Sequence, residues 1–130
     1  MKLVNESIAI QLIKPRQVWM ARFPYEDDPT QSKVRPVLVL AVDDESVSVS
    51  VLSMKITSTE PRDSYDFVLD DWADIPIDHQ STICPAHVMA LPVSNFKEKL
   101  GDVSDGDWER ATDRFEKFLH DIGDKLSTQK

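Results

Sequence analysis

Between Pro36 and Val51 the chain spells two strands of different kinds, and any fold it adopts must bury one and half-bury the other. Pro36-Val37-Leu38-Val39-Leu40-Ala41-Val42 is a continuous apolar run. It predicts a strand covered on both faces. Asp43-Asp44-Glu45 makes the turn. Ser46-Val47-Ser48-Val49-Ser50-Val51 then alternates strictly, as a strand with one wet face does, and the pattern continues to Ile56. Gln17–Phe23 puts Trp19, Ala21 and Phe23 on one face and predicts another strand. Tyr65–Leu69, Ser81–Cys84 and His87–Leu91 are shorter strand candidates. Residues 24–34 carry two prolines among mostly polar residues and read as a long loop, functional or mobile.

The period changes in the last third. Trp108, Ala111, Phe115, Phe118, Leu119 and Ile122 fall at helical spacing. Ser104 with Asp107 three residues on resembles a capping-box start, and Gly123 suits a C-terminal cap. Short strands, polar loops and one amphipathic helix predict a mainly β, α+β domain: a small, strongly curved antiparallel barrel with the helix packed on it. The 130 residues suit one domain, 1–130, with a core over about 16–122, a flexible head (1–13) and a flexible tail (125–130). The single cysteine, Cys84, excludes a disulfide framework. No apolar run suits a membrane span and no signal peptide is evident, so a cytoplasmic protein without a membrane partner is expected.

The net charge of −8 argues against coating nucleic acid through bulk charge. The excess is local. Residues 1–62 hold eight basic and eight acidic side chains, whereas 63–78 hold six acids and no base. That stretch is either a solvated loop or an acidic wall that limits access of an anionic ligand.

Five constellations bear on chemistry. Arg35 precedes Pro36, which forces it into an extended backbone where loop meets buried strand. A guanidinium there can grip a phosphate with two parallel bonds, or simply pair with a carboxylate at the strand end. Thr57-Ser58-Thr59 follows a strand, with Arg62 close behind. These hydroxyls can donate to a phosphate, or can bond their own backbone in a turn. Lys33, Lys55, Arg22, Tyr25 and Phe23 surround the long loop; cations interleaved with aromatics suit single-stranded nucleic acid, although Phe23 suits the core better. Cys84 and His87 have a C-x-x-H spacing, but one cysteine cannot build a cysteine-rich metal site, and Cys84 between Ile83 and Pro85 reads as a small buried hydrophobe. The helical aromatics are spaced for packing. No Gly-rich phosphate loop or metal-ligand motif is present, so any catalysis is expected to run without metal or organic cofactor.

The order Val18-Trp19-Met20-Ala21-Arg22-Phe23, a polar loop, Arg35-Pro36-Val37-Leu38-Val39-Leu40, Ile56-Thr57-Ser58 and Leu100-Gly101-Asp102-Val103-Ser104 before the helix resembles the PemK/MazF family of type II toxin–antitoxin toxins. The resemblance runs over about residues 16–122. It implies an SH3-like barrel of CcdB/MazF type, a homodimer, metal-independent cleavage of single-stranded RNA, and a cognate antitoxin. It assigns the chemistry to Arg35 and Thr57; beside them Ser58 and Arg62 are secondary candidates for phosphate contact, and Lys33, Tyr25 and Lys55 of the third constellation are candidate substrate contacts. The family's first strand usually opens with Gly-Asp, where this chain has Arg16-Gln17. A later strand often carries glutamine followed by arginine, where this chain reads Ala86-His87-Val88-Met89-Ala90-Leu91; His87 is the substitute contact there. The alternatives are a non-catalytic binding or regulatory module on the same fold, and a gyrase-directed barrel of CcdB type.

Overall fold

The computed structural model describes residues 12–44, 49–70, 75–77 and 79–128. Among these residues six strands, β1 (Gln17–Pro24), β2 (Ser32–Asp43), β3 (Ser50–Thr57), β4 (Phe67–Val68), β5 (Thr82–Pro92) and β6 (Phe96–Asp102), are followed by a long helix, α1 (Asp105–Thr128). The strands form one antiparallel sheet in the order β4-β5-β3-β2-β1-β6. Among the described residues no helix is long and apolar enough to cross a membrane.

The apolar run of β2 is covered on both faces, as its composition demands. Val37, Leu38 and Val39 are fully buried. Leu38 faces one core with Val18, Met54, Ile56, Phe67, Leu69, Ile83 and Ala111, against which Trp108 and Phe115 of α1 pack. Val37 and Val39 face a second core with Trp19, Ala21, Phe23, Val51, Leu91 and Ile13. The alternation in β1 therefore serves the second core, while Val18 serves the first.

Several expectations change. The sheet is not a closed barrel among the described residues; β4 and β6 are its two ends, and β4 is only two residues long. The loop after β1 is shorter than 24–34, because Ser32-Lys33-Val34 pair with Pro24-Phe23-Arg22 and extend β2. What remains is tied down: Asp28 Oδ1 accepts from the amide and hydroxyl of Thr30, and the Gln31 amide donates to the Asp28 carbonyl. The expected strands Ser81–Cys84 and His87–Leu91 are one strand. Lys55 pairs with Cys84 and Met54 with Val88, so Pro85, Ala86 and His87 bulge out of the ladder. Pro85 has no amide to give the ladder, which is why the interruption falls there. The predicted start of the alternating strand, 46–48, lies outside the described residues.

The helix begins as its cap predicts: the Asp107 amide donates to Ser104 Oγ at 3.1 Å. It does not stop at Gly123. No glycine has a positive φ, so Gly123 is an ordinary helical residue and α1 continues to Thr128. Its far half outruns the sheet. Ala111 is buried, but Leu119, Ile122 and Leu126 are exposed, so the expected core role of Leu119 and Ile122 is not taken up.

Candidate active site

Pro36 opens the site. Lacking an N–H, it cannot extend the β2–β3 ladder, which begins at Val37–Lys55. Continuing that register two residues places Arg35 opposite Thr57 where the two strands part. Arg35 still pairs with Ala21 of β1, and Thr57 with Thr82 of β5, so both backbones are held by outer neighbours. Arg35 and Thr57 each line two adjoining cavities.

The first cavity, about 480 Å³, is floored by apolar side chains including Met20, Val34, Pro36, Ile56 and Leu100. Lys33, Arg35, Thr57 and Ser58 supply donors, with His79 and Glu98 at its edge. The second, about 300 Å³, is polar: Arg35, Lys55, Arg62 and His87 face Glu26, Asp27, Glu60 and Asp66, with Phe23, Tyr25, Thr57 and Cys84 completing the wall. Arg35, Thr57, Ser58, Arg62, Lys33, Tyr25, Lys55 and His87 thus each line one cavity or the other, and the two assigned the chemistry line both.

The carboxylate-pair reading of Arg35 is not met among the described residues. Its Nε is buried without a hydrogen-bond partner, and among the described residues no carboxylate pairs with it. A buried unpaired donor costs about 1–3 kcal/mol, which an incoming anion offsets. The hydroxyl turn bonds its own backbone, the second of its readings. Thr57 Oγ1 accepts from the Thr59 amide at 3.2 Å and lies 3.1 Å from Thr59 Oγ1. When the Thr59 hydroxyl donates to Thr57 Oγ1, the Thr57 proton is left to turn outward.

The remaining cations are more engaged. Glu26 Oε1 lies 2.6 Å from His87 Nδ1 and 3.9 Å from Lys55 Nζ. His87 reaches this position from the Pro85 bulge, and its Nε2 lies 3.6 Å from Asp63. Burial works to raise the Asp63 pKa, but the amides of Asp66 and Tyr65 and the His87 ring outweigh it and hold the carboxyl below its usual range. Arg22 bonds Ser32 on the surface and lines neither cavity, and Phe23 is a core residue at 2% exposure. Cys84 is 3% exposed, and burial, with Asp66 adding to it, pushes its thiol up to about 12. A thiolate nucleophile does not form there near neutral pH. The described residues hold one cluster of three potential metal ligands, His120, Asp121 and Asp124, on the outer part of α1; it lines neither cavity.

The described part of the acidic stretch is divided between exposed Asp63 and Asp70 and buried Asp66. Asp66 is 9% exposed and lines the second cavity. Arg114 Nη1 donates to the Tyr65 and Asp66 carbonyls, Arg110 pairs with Asp70, and both guanidinium groups lie over the Phe67 ring. Asp71, Asp74 and Asp78 lie outside the described residues. Asp66 was indistinguishable in the sequence from five other aspartates; one of its anchors, Arg114, lies far down the chain.

Residues 14–119 match the family described as PemK-like, MazF-like toxin of type II toxin–antitoxin system. Among solved structures, the Mycobacterium tuberculosis toxin MazF-mt6 is similar with a TM-score of 0.60 and 18% identity, over 81% of this chain and 97% of that one. A mycobacterial endoribonuclease in complex with its cognate antitoxin is similar with a TM-score of 0.64 and 12% identity, over 83% and 95%. At these identities the likeness is one of fold. No curated protein matches.

Proposed function

Because the chain belongs to the family of PemK-like, MazF-like toxins of type II toxin–antitoxin systems, we propose that it is an endoribonuclease that cuts single-stranded RNA, mRNA included, at a short sequence without metal. On this reading it acts in the cytoplasm as a homodimer and is neutralised by a cognate antitoxin. The observation that carries the proposal is Arg35, a cation with an unpartnered buried Nε, held on a rigid strand beside Thr57 at the junction of two cavities.

RNA supplies its own nucleophile. The 2′-oxygen attacks the adjacent phosphorus, the bond to the 5′-oxygen breaks, and the products are a 2′,3′-cyclic phosphate and a 5′-hydroxyl. Arg35 meets the charge that grows on the phosphate oxygens, and its fixed position means little reorganisation as that charge develops. Thr57 donates to a non-bridging oxygen. Lys33 and Ser58 in the first cavity, and Lys55, Arg62, Tyr25 and His87 in the second, contact the flanking nucleotides. Arginine stays protonated and is a poor proton carrier, so its role is electrostatic.

The test is incubation of long single-stranded RNA with the purified protein in EDTA, beside Arg35→Ala, with new 5′ ends mapped. Cleavage at a fixed short sequence is expected, untouched by EDTA and reduced by at least about 100-fold in the variant. Intact RNA with a folded protein would favour the second reading, a non-catalytic binding module, for which the four carboxylates of the second cavity speak.

A further inference from the structure

We propose that the second cavity is a nucleobase pocket that selects a base bearing an exocyclic amine, and that Asp66 is the residue that reads it. The proposal rests on the RNA-cleaving reading above and adds a specificity residue to it.

Among the described residues, two buried side-chain atoms lack a hydrogen-bond partner: Arg35 Nε and Asp66 Oδ1. Both residues line the second cavity. One atom is a donor and the other an acceptor, so the ligand that satisfies both must carry both functions. Asp66 cannot readily turn away. Its Oδ2 accepts from the Arg62 amide at 3.0 Å, its own amide donates to Asp63 Oδ1 at 2.9 Å, and Arg114 holds its carbonyl at 2.9 Å.

A nucleotide meets this demand: a phosphate oxygen accepts from Arg35 and an amine donates to Asp66. A lysine or arginine from a protein partner offers donors only and would leave Arg35 Nε unpaired. Cytosine, adenine and guanine carry the amine. Uracil presents two carbonyl oxygens around a single N–H, and those oxygens would face Asp66 with Glu26, Asp27 and Glu60 nearby. Tyr25 adds exposed aromatic surface to the same cavity, the usual support for an unstacked base. Leaving the buried carboxylate unpaired penalises uracil on the order of 10- to 100-fold.

The experiment measures binding of cleavage-blocked 2′-O-methyl oligonucleotides of one length, oligo-C, oligo-A and oligo-U, by fluorescence anisotropy. Wild-type protein is expected to bind oligo-C or oligo-A at least about tenfold tighter than oligo-U. Asp66→Asn keeps an oxygen for the Arg62 amide, so the loop stays anchored, and turns an amide N–H into the cavity. It is expected to lose the preference or reverse it toward oligo-U. Arg35→Ala is expected to weaken all three without changing their order. Equal binding of all three by the wild type, an unchanged order in Asp66→Asn, or no binding to any would overturn the proposal. Base preference in a protein that cuts no RNA would sink the nuclease and keep the pocket; cleavage with an unchanged order in Asp66→Asn would do the reverse.

Discussion

Arg16 has a φ of 78°, the one non-glycine residue in the left-handed region among those described. That is a backbone conformation glycine adopts most readily. The Arg16 amide donates to the Val39 carbonyl and its carbonyl accepts from the Val103 amide, so the strained backbone ties β2 to the start of α1. The side chain pairs with exposed Asp105 and lies 5.5 Å over Trp108, which adds modest support. Arg16→Gly is therefore expected to leave stability within about 1 kcal/mol, whereas Arg16→Val should lose about 2 kcal/mol, a difference readable by urea denaturation. Cys84 makes a pH prediction. Its thiol titrates near 9.0 when exposed and at about 12 in the fold. A raised pKa stabilises the fold fully below the lower value and is lost as pH climbs toward the higher. Stability should thus fall from about pH 9 upward, and Cys84→Ala should flatten that fall in denaturation curves taken across the range. At this scale the sequence disclosed what local sterics decide. Pro36 restricts Arg35 whatever the rest of the chain does. Asp66 stayed hidden because its near neighbours Arg62 and Asp63 are not its only anchors: Arg114 holds its carbonyl and Cys84 lies beside its carboxyl, both far along the chain.

Elements were legible where one residue dictates the outcome and obscure where partners do. Ser104 caps α1 as its side chain allows, and Asp105 and Asp107 sit where the helix dipole favours acids. Ser104→Ala should cost about 1 kcal/mol and Ser104→Gly only a few tenths, measured by thermal unfolding. The bulge at Pro85 was visible only as a break between two short strands, because a gap in the apolar pattern does not tell a loop from a bulge. The end of α1 misled for a different reason. A glycine stops a helix only when the chain turns left-handed there, and nothing in Gly123 or its neighbours forces that. The apolar residues past it keep helical spacing without a sheet beneath them, so periodicity counted Leu119 and Ile122 as core when the sheet had already ended.

For the whole molecule, the net charge of −8 misdescribes the surface that matters, because α1 spends its arginines on the acidic stretch. Tyr65 extends that attachment. Its hydroxyl donates to Asp121 Oδ2 at 2.5 Å and its ring meets Phe118 edge-on at 5.4 Å. The bond pushes the Tyr65 pKa up and the Asp121 pKa down. Residues 65–70 are held chiefly by α1 and by a two-residue strand, while the Leu69 amide donates to the Ser81 carbonyl. The wall of the second cavity and the helix are therefore expected to open as a single cooperative unit, distinct from the β1–β2–β3 centre of the sheet. In native-state hydrogen exchange, the Leu69 amide should share one opening free energy with the middle of α1, below that of the Val37–Val39 amides. Replacing Arg114 with alanine should lower the shared value and leave the sheet centre unmoved. Independent values for Leu69 and α1 would mean that the wall is held by the sheet. If they move together, the pocket's lifetime is set by how tightly a helix on the opposite end of the chain grips it.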